Sequence, residues 1–151
     1  MEKEVRESII KLIENSRDAI VSSIDEAGYP NAKAMFRLKN EGLETFWFST
    51  NTSSIRVSHW AACSKASIYF LDAEGFHGLM LTGEMEVCSD AETKLAFWKQ
   101  GDEMYYSKGP TDPDYSILKF TAAKGNYYHG LRRHLFSIEE VKECEECLTA
   151  R

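Results

Sequence analysis

Apolar residues recur at Val5, Ile9, Leu12 and Ile13, and this spacing predicts an amphipathic helix over residues 3–16. The period then shortens. Residues 19–24 are β-like, and Asp25-Glu26-Ala27-Gly28-Tyr29-Pro30 reads as a connection between strands. Over 31–38 the chain alternates, with Ala32, Ala34, Phe36 and Leu38 on one face and Lys33, Met35 and Arg37 on the other. Lys39-Asn40-Glu41-Gly42 makes a hairpin into a strand over 43–48. Residues 54–63 read as helix, 66–71 as strand and 72–75 as turn. A long strand over 77–87 then shows His77, Leu79, Leu81, Gly83, Met85 and Val87 on one face. Gly83 marks a bulge or bend in it.

Ser89-Asp90-Ala91-Glu92 has the form of a capping box, with Ala91, Leu95 and Trp98 as the apolar face of the helix it starts. A polar and aromatic loop follows over 101–115, containing Gly109-Pro110 and Asp112-Pro113. Strands over 117–122 and 126–129 close the β portion, and 138–148 forms a last helix. No repeat or low-complexity tract interrupts the series. Six or seven strands in hairpin order with peripheral helices predict a mainly β (α+β) antiparallel barrel, one domain over 1–151.

Composition narrows the function classes. A chain of 151 residues, 43% hydrophobic and 28% charged, buries a sizeable core without disulfides. A net charge of −6 argues against a general nucleic-acid surface, though not against a local basic pocket. No segment has the length of a membrane-spanning helix, and Met-Glu-Lys-Glu-Val-Arg-Glu lacks an apolar signal region, so a cytoplasmic protein is expected. Cys63, Cys88, Cys144 and Cys147 are few and irregularly spaced, which fits. Cys144-x-x-Cys147 has the spacing of a metal or redox pair, but no second Cys/His pair accompanies it and VKECEECL reads as an acidic helix. No metal is expected. Nor is there a Ser-His-Asp arrangement, an H-E-x-x-H motif or a Gly-rich phosphate loop.

The stretch with most chemical content is Phe48-Ser49-Thr50-Asn51-Thr52-Ser53-Ser54-Ile55-Arg56. With Ser53 as cap, Arg56 falls in the first turn, where a cation opposes the helix dipole. An anion bound there reverses the sign. Free N–H groups, the hydroxyls of Thr50, Thr52, Ser53 and Ser54, and the Arg56 guanidinium could converge on a phosphate. Lys33 and Arg37, on one face of the preceding strand, could approach the same anion, with Met35 and Phe36 between them lining a flat ligand. A polar turn with a solvated arginine is the competing reading.

Pro30-Asn31-Ala32-Lys33-Ala34-Met35-Phe36, then FWFSTNTSSIR, then PDPDYSILKFTAAKGNYYHG together resemble the pyridoxamine 5′-phosphate oxidase-like flavin-binding split barrels, nearest to the general stress protein group. The resemblance covers residues 3 to 130. It implies a split barrel, a homodimer and FMN at the subunit interface. By position, Lys33 stands at a phosphate ligand, Ala34, Met35 and Phe36 run beside the isoalloxazine, and Ser49 and Thr50 touch the flavin chain. Ser54 and Arg56 match the Ser-x-Lys/Arg phosphate clasp. Gly78 stands where the oxidase has a glutamine, and His129-Gly130-Leu131-Arg132-Arg133-His134 does not match the oxidase's pyridoxal phosphate pattern, so that activity is not expected.

Three functions follow from the resemblance. One is an FMN-dependent oxidoreductase exchanging a hydride at N5 with a reduced nicotinamide or a small substrate. The second is a binding protein holding FMN, haem or a deazaflavin for storage or stress sensing. The third is an interaction module that has lost its cofactor. No general acid or base stands out, and no catalytic residue is assigned. His77 reads as structural, His59 as structural or exposed, Trp47, Trp60 and Trp98 as core, and Tyr105, Tyr106 and Tyr115 as packing.

Overall fold

The computed structural model describes residues 1–142. Helix α1 (Lys3–Asn15) is followed by strands β1 (Asp18–Ile24), β2 (Pro30–Glu41) and β3 (Thr45–Asn51), helix α2 (Ile55–Ala62), strands β4 (Lys65–Asp72) and β5 (His77–Cys88), helix α3 (Ala91–Phe97), two short 3₁₀ turns, and strands β6 (Tyr115–His129) and β7 (Arg132–Ser137). Residues 138–142 are again helical. Cys144, Cys147 and the remainder of the expected last helix lie outside the described residues.

The strands are antiparallel in the order β3-β2-β1-β4-β5-β6-β7, and β3 also pairs with β6. This closes six strands into a barrel, as the strand pattern predicts, and leaves β7 as an addition. Inward positions alternate as the pleat requires. Val21, Phe46, Phe48, Ile68, Phe70, Leu79, Leu81, Leu118 and Phe120 are fully buried. The apolar stripe of α1, Ile9, Leu12 and Ile13, joins the same cluster. A smaller cluster outside the wall gathers Tyr106, Tyr115 and Ile117, with Trp47, Phe97 and Trp98 against it. That is why β6 begins with four consecutive buried residues, its outer face being covered as well as its inner one.

Several local expectations change. The two strands expected over 117–122 and 126–129 are one. β6 pairs with β5 along one edge and, on the other, first with β3 and then with β7. A register shift opposite Gly83 marks the exchange of partners, and a Cβ on Gly83 would collide with the Thr121 carbonyl oxygen. Strand β7 itself was not foreseen, because Arg132-Arg133-His134 reads as a basic cluster.

The capping box expected at Ser89 does not form. Ser89 Oγ lies 3.2 Å from Ser116 Oγ, and Asp90 caps α3 by accepting from the Thr93 amide at 2.9 Å. A reciprocal box occurs instead at Ser137, whose amide donates to Glu140 Oε2 at 3.0 Å while its Oγ accepts from the Glu140 amide at 3.2 Å. On α3 the expected apolar face is also revised, since Leu95 is exposed and Lys94 is buried.

Candidate functional site

The site begins where a ladder stops. β2 pairs with β3 from Glu41↔Thr45 to Arg37↔Phe48, and from Phe36 back to Pro30 it pairs with β1 instead. Beyond Arg37↔Phe48 the two strands part. One side of this split is Lys33, Ala34, Met35 and Phe36, and the other is Ser49, Thr50 and the turn into α2. All eight expected cofactor-binding residues therefore lie on the two strands and the helix start that border one opening. Met35 and Thr50 are buried, while Lys33, Ala34 and Phe36 are exposed. The Arg17 guanidinium lies over the Phe36 ring, 4.5 Å from its centroid.

The polar turn after β3 divides its groups between structure and opening. Asn51 Nδ2 donates to Asp114 Oδ2 at 2.9 Å, the Ser53 amide donates to Asp114 Oδ1 at 2.7 Å, and the Thr52 amide donates to the Asp114 carbonyl at 2.8 Å. Thr52 Oγ1 sits 2.6 Å from Ser116 Oγ. The Asn51 side chain first, and then Ser53, hold the Asp114 carboxyl below the usual carboxylate range. Thr52 and Ser53 are thus taken up internally and do not join an anion site. Thr50 and Ser54 remain, their hydroxyls 3.4 Å apart.

Ser54, not Ser53, is the N-cap of α2, and its side chain makes no capping bond. Arg56 is the second helical residue. Its Nε is buried and has no partner among the described residues, an arrangement that leaves a donor unsatisfied. Ser23 Oγ and His59 Nδ1 are 2.9 Å apart in the core and tie α2 to β1.

Arg37 does not reach this opening. Its guanidinium donates to the carbonyls of Ile13 at 3.0 Å and Ser16 at 3.3 Å, and to Asn40 Oδ1 at 2.6 Å, so it satisfies the C-terminal end of α1. Lys33 is the cation that β2 leaves exposed at the split. His77 packs against the His129 ring at 4.0 Å and is distant in register from these residues, in keeping with a structural histidine. Trp60 is a core residue, Trp47 and Trp98 pack on the smaller cluster, and Tyr105 is exposed rather than packed.

The residue types fit an anion carried on a flat apolar body: an unpartnered guanidinium N–H and two hydroxyls stand at the end of β3 and the start of α2, and a lysine is exposed on β2 beside apolar residues. Clefts of about 660, 660, 520 and 350 Å³ lie elsewhere, and none is lined by these eight residues. The split is an open face. Its outer surface continues along one register row, Ala34–Ile20–Tyr69–Met80–Asn126–Leu135, across six strands. Ile20, Phe36, Leu71, Tyr128 and Leu135 are exposed on that surface.

The family model for pyridoxamine 5′-phosphate oxidase-like proteins matches residues 4–144. The chain belongs to the pyridoxamine 5′-phosphate oxidase-like family. No curated protein matches it. Among solved structures, a Clostridium acetobutylicum protein related to general stress protein 26 of B. subtilis, of the pyridoxinephosphate oxidase family, is 42% identical, with a TM-score of 0.86 over 93% of this chain and 99% of that one. General stress protein 26 of Bacillus anthracis is 16% identical, with a TM-score of 0.73 over 89% and 99% of the two chains. A pyridoxamine 5′-phosphate oxidase-related, FMN binding protein from Nostoc punctiforme is 12% identical, with a TM-score of 0.66 over 87% and 83%. At these last two identities the likeness is one of fold. No helix among the described residues is long and apolar enough to cross a membrane, and no three metal-ligating side chains cluster there.

Proposed function

We propose that this member of the pyridoxamine 5′-phosphate oxidase-like family binds FMN in the split between β2 and β3 and works as a homodimeric flavin-dependent oxidoreductase. The observation that carries the reading is the buried Nε of Arg56, without a partner among the described residues, two positions after Ser54, whose hydroxyl makes no capping bond. Arg56, Ser54 and Lys33 would hold the phosphate. Thr50 and Ser49 would flank the sugar chain, and the backbone of Ala34–Phe36 would lie along the ring. Bound FMN supplies the hydride-accepting and hydride-donating chemistry, with a reduced nicotinamide or a small molecule as the other reactant. The chain's own part is to bind, orient and exclude water. The open split and the apolar outer row support a second copy as the missing wall.

The test is the visible spectrum of the purified protein, before and after adding FMN and removing the excess. One retained flavin per chain is expected, and Arg56→Ala should lose it while keeping the apo-protein's melting temperature. A wild-type protein that retains no flavin after reconstitution would sink the reading. The side chains of Ala34, Met35, Phe36, Ser49 and Thr50 include no acid or base. This suits hydride transfer and equally suits a protein that holds FMN, or a haem or deazaflavin, without turnover. Nicotinamide-dependent bleaching of the bound flavin separates the two.

A further inference from the structure

We infer that Asp114 is the positioning residue of the phosphate clasp and, through it, sets a preference for FMN over riboflavin; this rests on the FMN reading above. Asp114 is not a ligand. A carboxylate close to a phosphate would repel it, and both of its oxygens already accept hydrogen bonds. What it does is hold three successive residues of the turn: Asn51 through its side chain, Thr52 through its amide to the Asp114 carbonyl, and Ser53 through its amide. The next residue is Ser54, and Arg56 follows two further on. The clasp therefore leaves the turn at a point fixed by a residue 61 positions away from Ser53 in the chain.

Asp114 is itself fixed. Its amide donates to Asp112 Oδ1 at 3.0 Å, Asp112 Oδ2 accepts from the Lys108 amide at 3.2 Å, and the Asp112 carbonyl accepts from buried Lys94 Nζ at 2.7 Å. A chain of hydrogen bonds thus runs from the α3 side of the barrel to the α2 N-terminus. The turn's inner donors are directed at Asp114 and away from the split. The hydroxyls of Ser54 and Thr50, 3.4 Å from each other, and the amides of Ile55 and Arg56 are left for an anion. Without the Asp114 carboxylate, Asn51 and Ser53 have no fixed acceptor, and the turn into α2 loses two of its ties to the start of β6.

Such a role predicts a split in affinities that a general loss of stability does not. Titrating apo-protein with FMN and with riboflavin, followed by quenching of flavin fluorescence, reads it directly. Asp114→Ala should weaken FMN about tenfold, the scale of one misplaced hydrogen bond to a charged group, and leave riboflavin affinity unchanged. Asp114→Asn, which retains one acceptor oxygen, should fall between. Asn51→Ala removes one of the three ties without touching Asp114, should lower the FMN-to-riboflavin ratio in the same direction, and serves if Asp114→Ala does not fold. Equal losses for both flavins, or an unchanged ratio in Asp114→Asn and Asn51→Ala, overturns the inference and leaves the FMN reading standing. A wild-type protein that binds both flavins alike, or neither, overturns the phosphate clasp and the inference together.

Discussion

Lys94 Nζ donates to the carbonyl oxygen of Asp112 at 2.7 Å, although the lysine is only 6% exposed. The same ammonium lies 5.8 Å from the centre of the Tyr115 ring. The bond spans the long loop and ties its far end to α3. Lys94→Met keeps most of the stem's packing and removes the charged donor. It should cost about 1.5–3 kcal/mol, the net worth of a hydrogen bond from a charged group, in urea unfolding of the apo-protein. A midpoint equal to wild type would show the contact to be idle.

Tyr115 presents the opposite case. It is 1% exposed, and its hydroxyl is buried without a partner among the described residues. Tyr115→Phe removes a polar atom that folding leaves unsatisfied and should raise stability by about 1 kcal/mol.

Burial also pushes the Tyr115 and Tyr106 phenols up to about 12, and for Tyr106 the neighbouring Asp114, Asp102 and Asp112 add to the effect. The neutral phenols are favoured in the folded state. Their contribution is fully present below the ordinary value near 10 and is lost as pH rises from there through about 12. Alkaline titration of phenolate absorbance should show these two, along with Tyr127, which burial also raises, ionising late among the seven tyrosines, together with unfolding. Two tyrosines fewer in that late phase are expected of the Tyr106→Phe, Tyr115→Phe double variant.

On the acid side the sign is reversed. Asp25, Asp90, Asp114 and Glu140 are all held below the usual carboxylate range by donated hydrogen bonds, chiefly from the Tyr29, Thr93 and Ser137 amides and, at Asp114, the Asn51 side chain. Their contribution is present above the unfolded carboxylate values and disappears as pH falls through the folded ones. Melting temperature should drop with acidification, and Asp90→Asn should flatten that slope while leaving the alkaline limb unchanged.

Gly83 faces the Thr121 carbonyl at the register shift between β5 and β6, where a methyl group meets backbone that cannot turn aside. Gly83→Ala should destabilise by about 1–3 kcal/mol, as overpacking does. Gly28→Ala is a different control: its added Cβ meets nothing within 4 Å, and the cost there comes from a φ of +86° alone.

The barrel was legible because its inward positions alternate cleanly, as Leu79, Leu81 and Met85 do. Family likeness, and the cation in the first turn of α2, directed attention to the stretch where β2 and β3 part. What escaped depends on partners far along the chain. Nothing local in Ala122-Ala123-Lys124-Gly125 shows a strand continuing, since Gly125 fits there because the Phe136 ring of β7 occupies the space above it. Arg37 sits on the predicted face but ends on α1, because the carbonyls of Ile13 and Ser16 at the end of that helix come within its reach only after folding. Ser89 lost its cap to Asp90 for a similar reason, its hydroxyl being drawn to Ser116 on β6. Local pattern told which residues face together, while long-range hydrogen bonds decided which polar groups remained available.

The double pairing of β6 also governs how the chain can emerge during synthesis. Before Tyr115 has left the ribosome, the first five strands can form only an open sheet in the order β3-β2-β1-β4-β5. Its two outermost strands, β3 and β5, both await the same fifteen-residue partner. The nascent protein is therefore longest exposed, and most in need of a chaperone, just before that partner arrives. A single late strand then seals both edges at once.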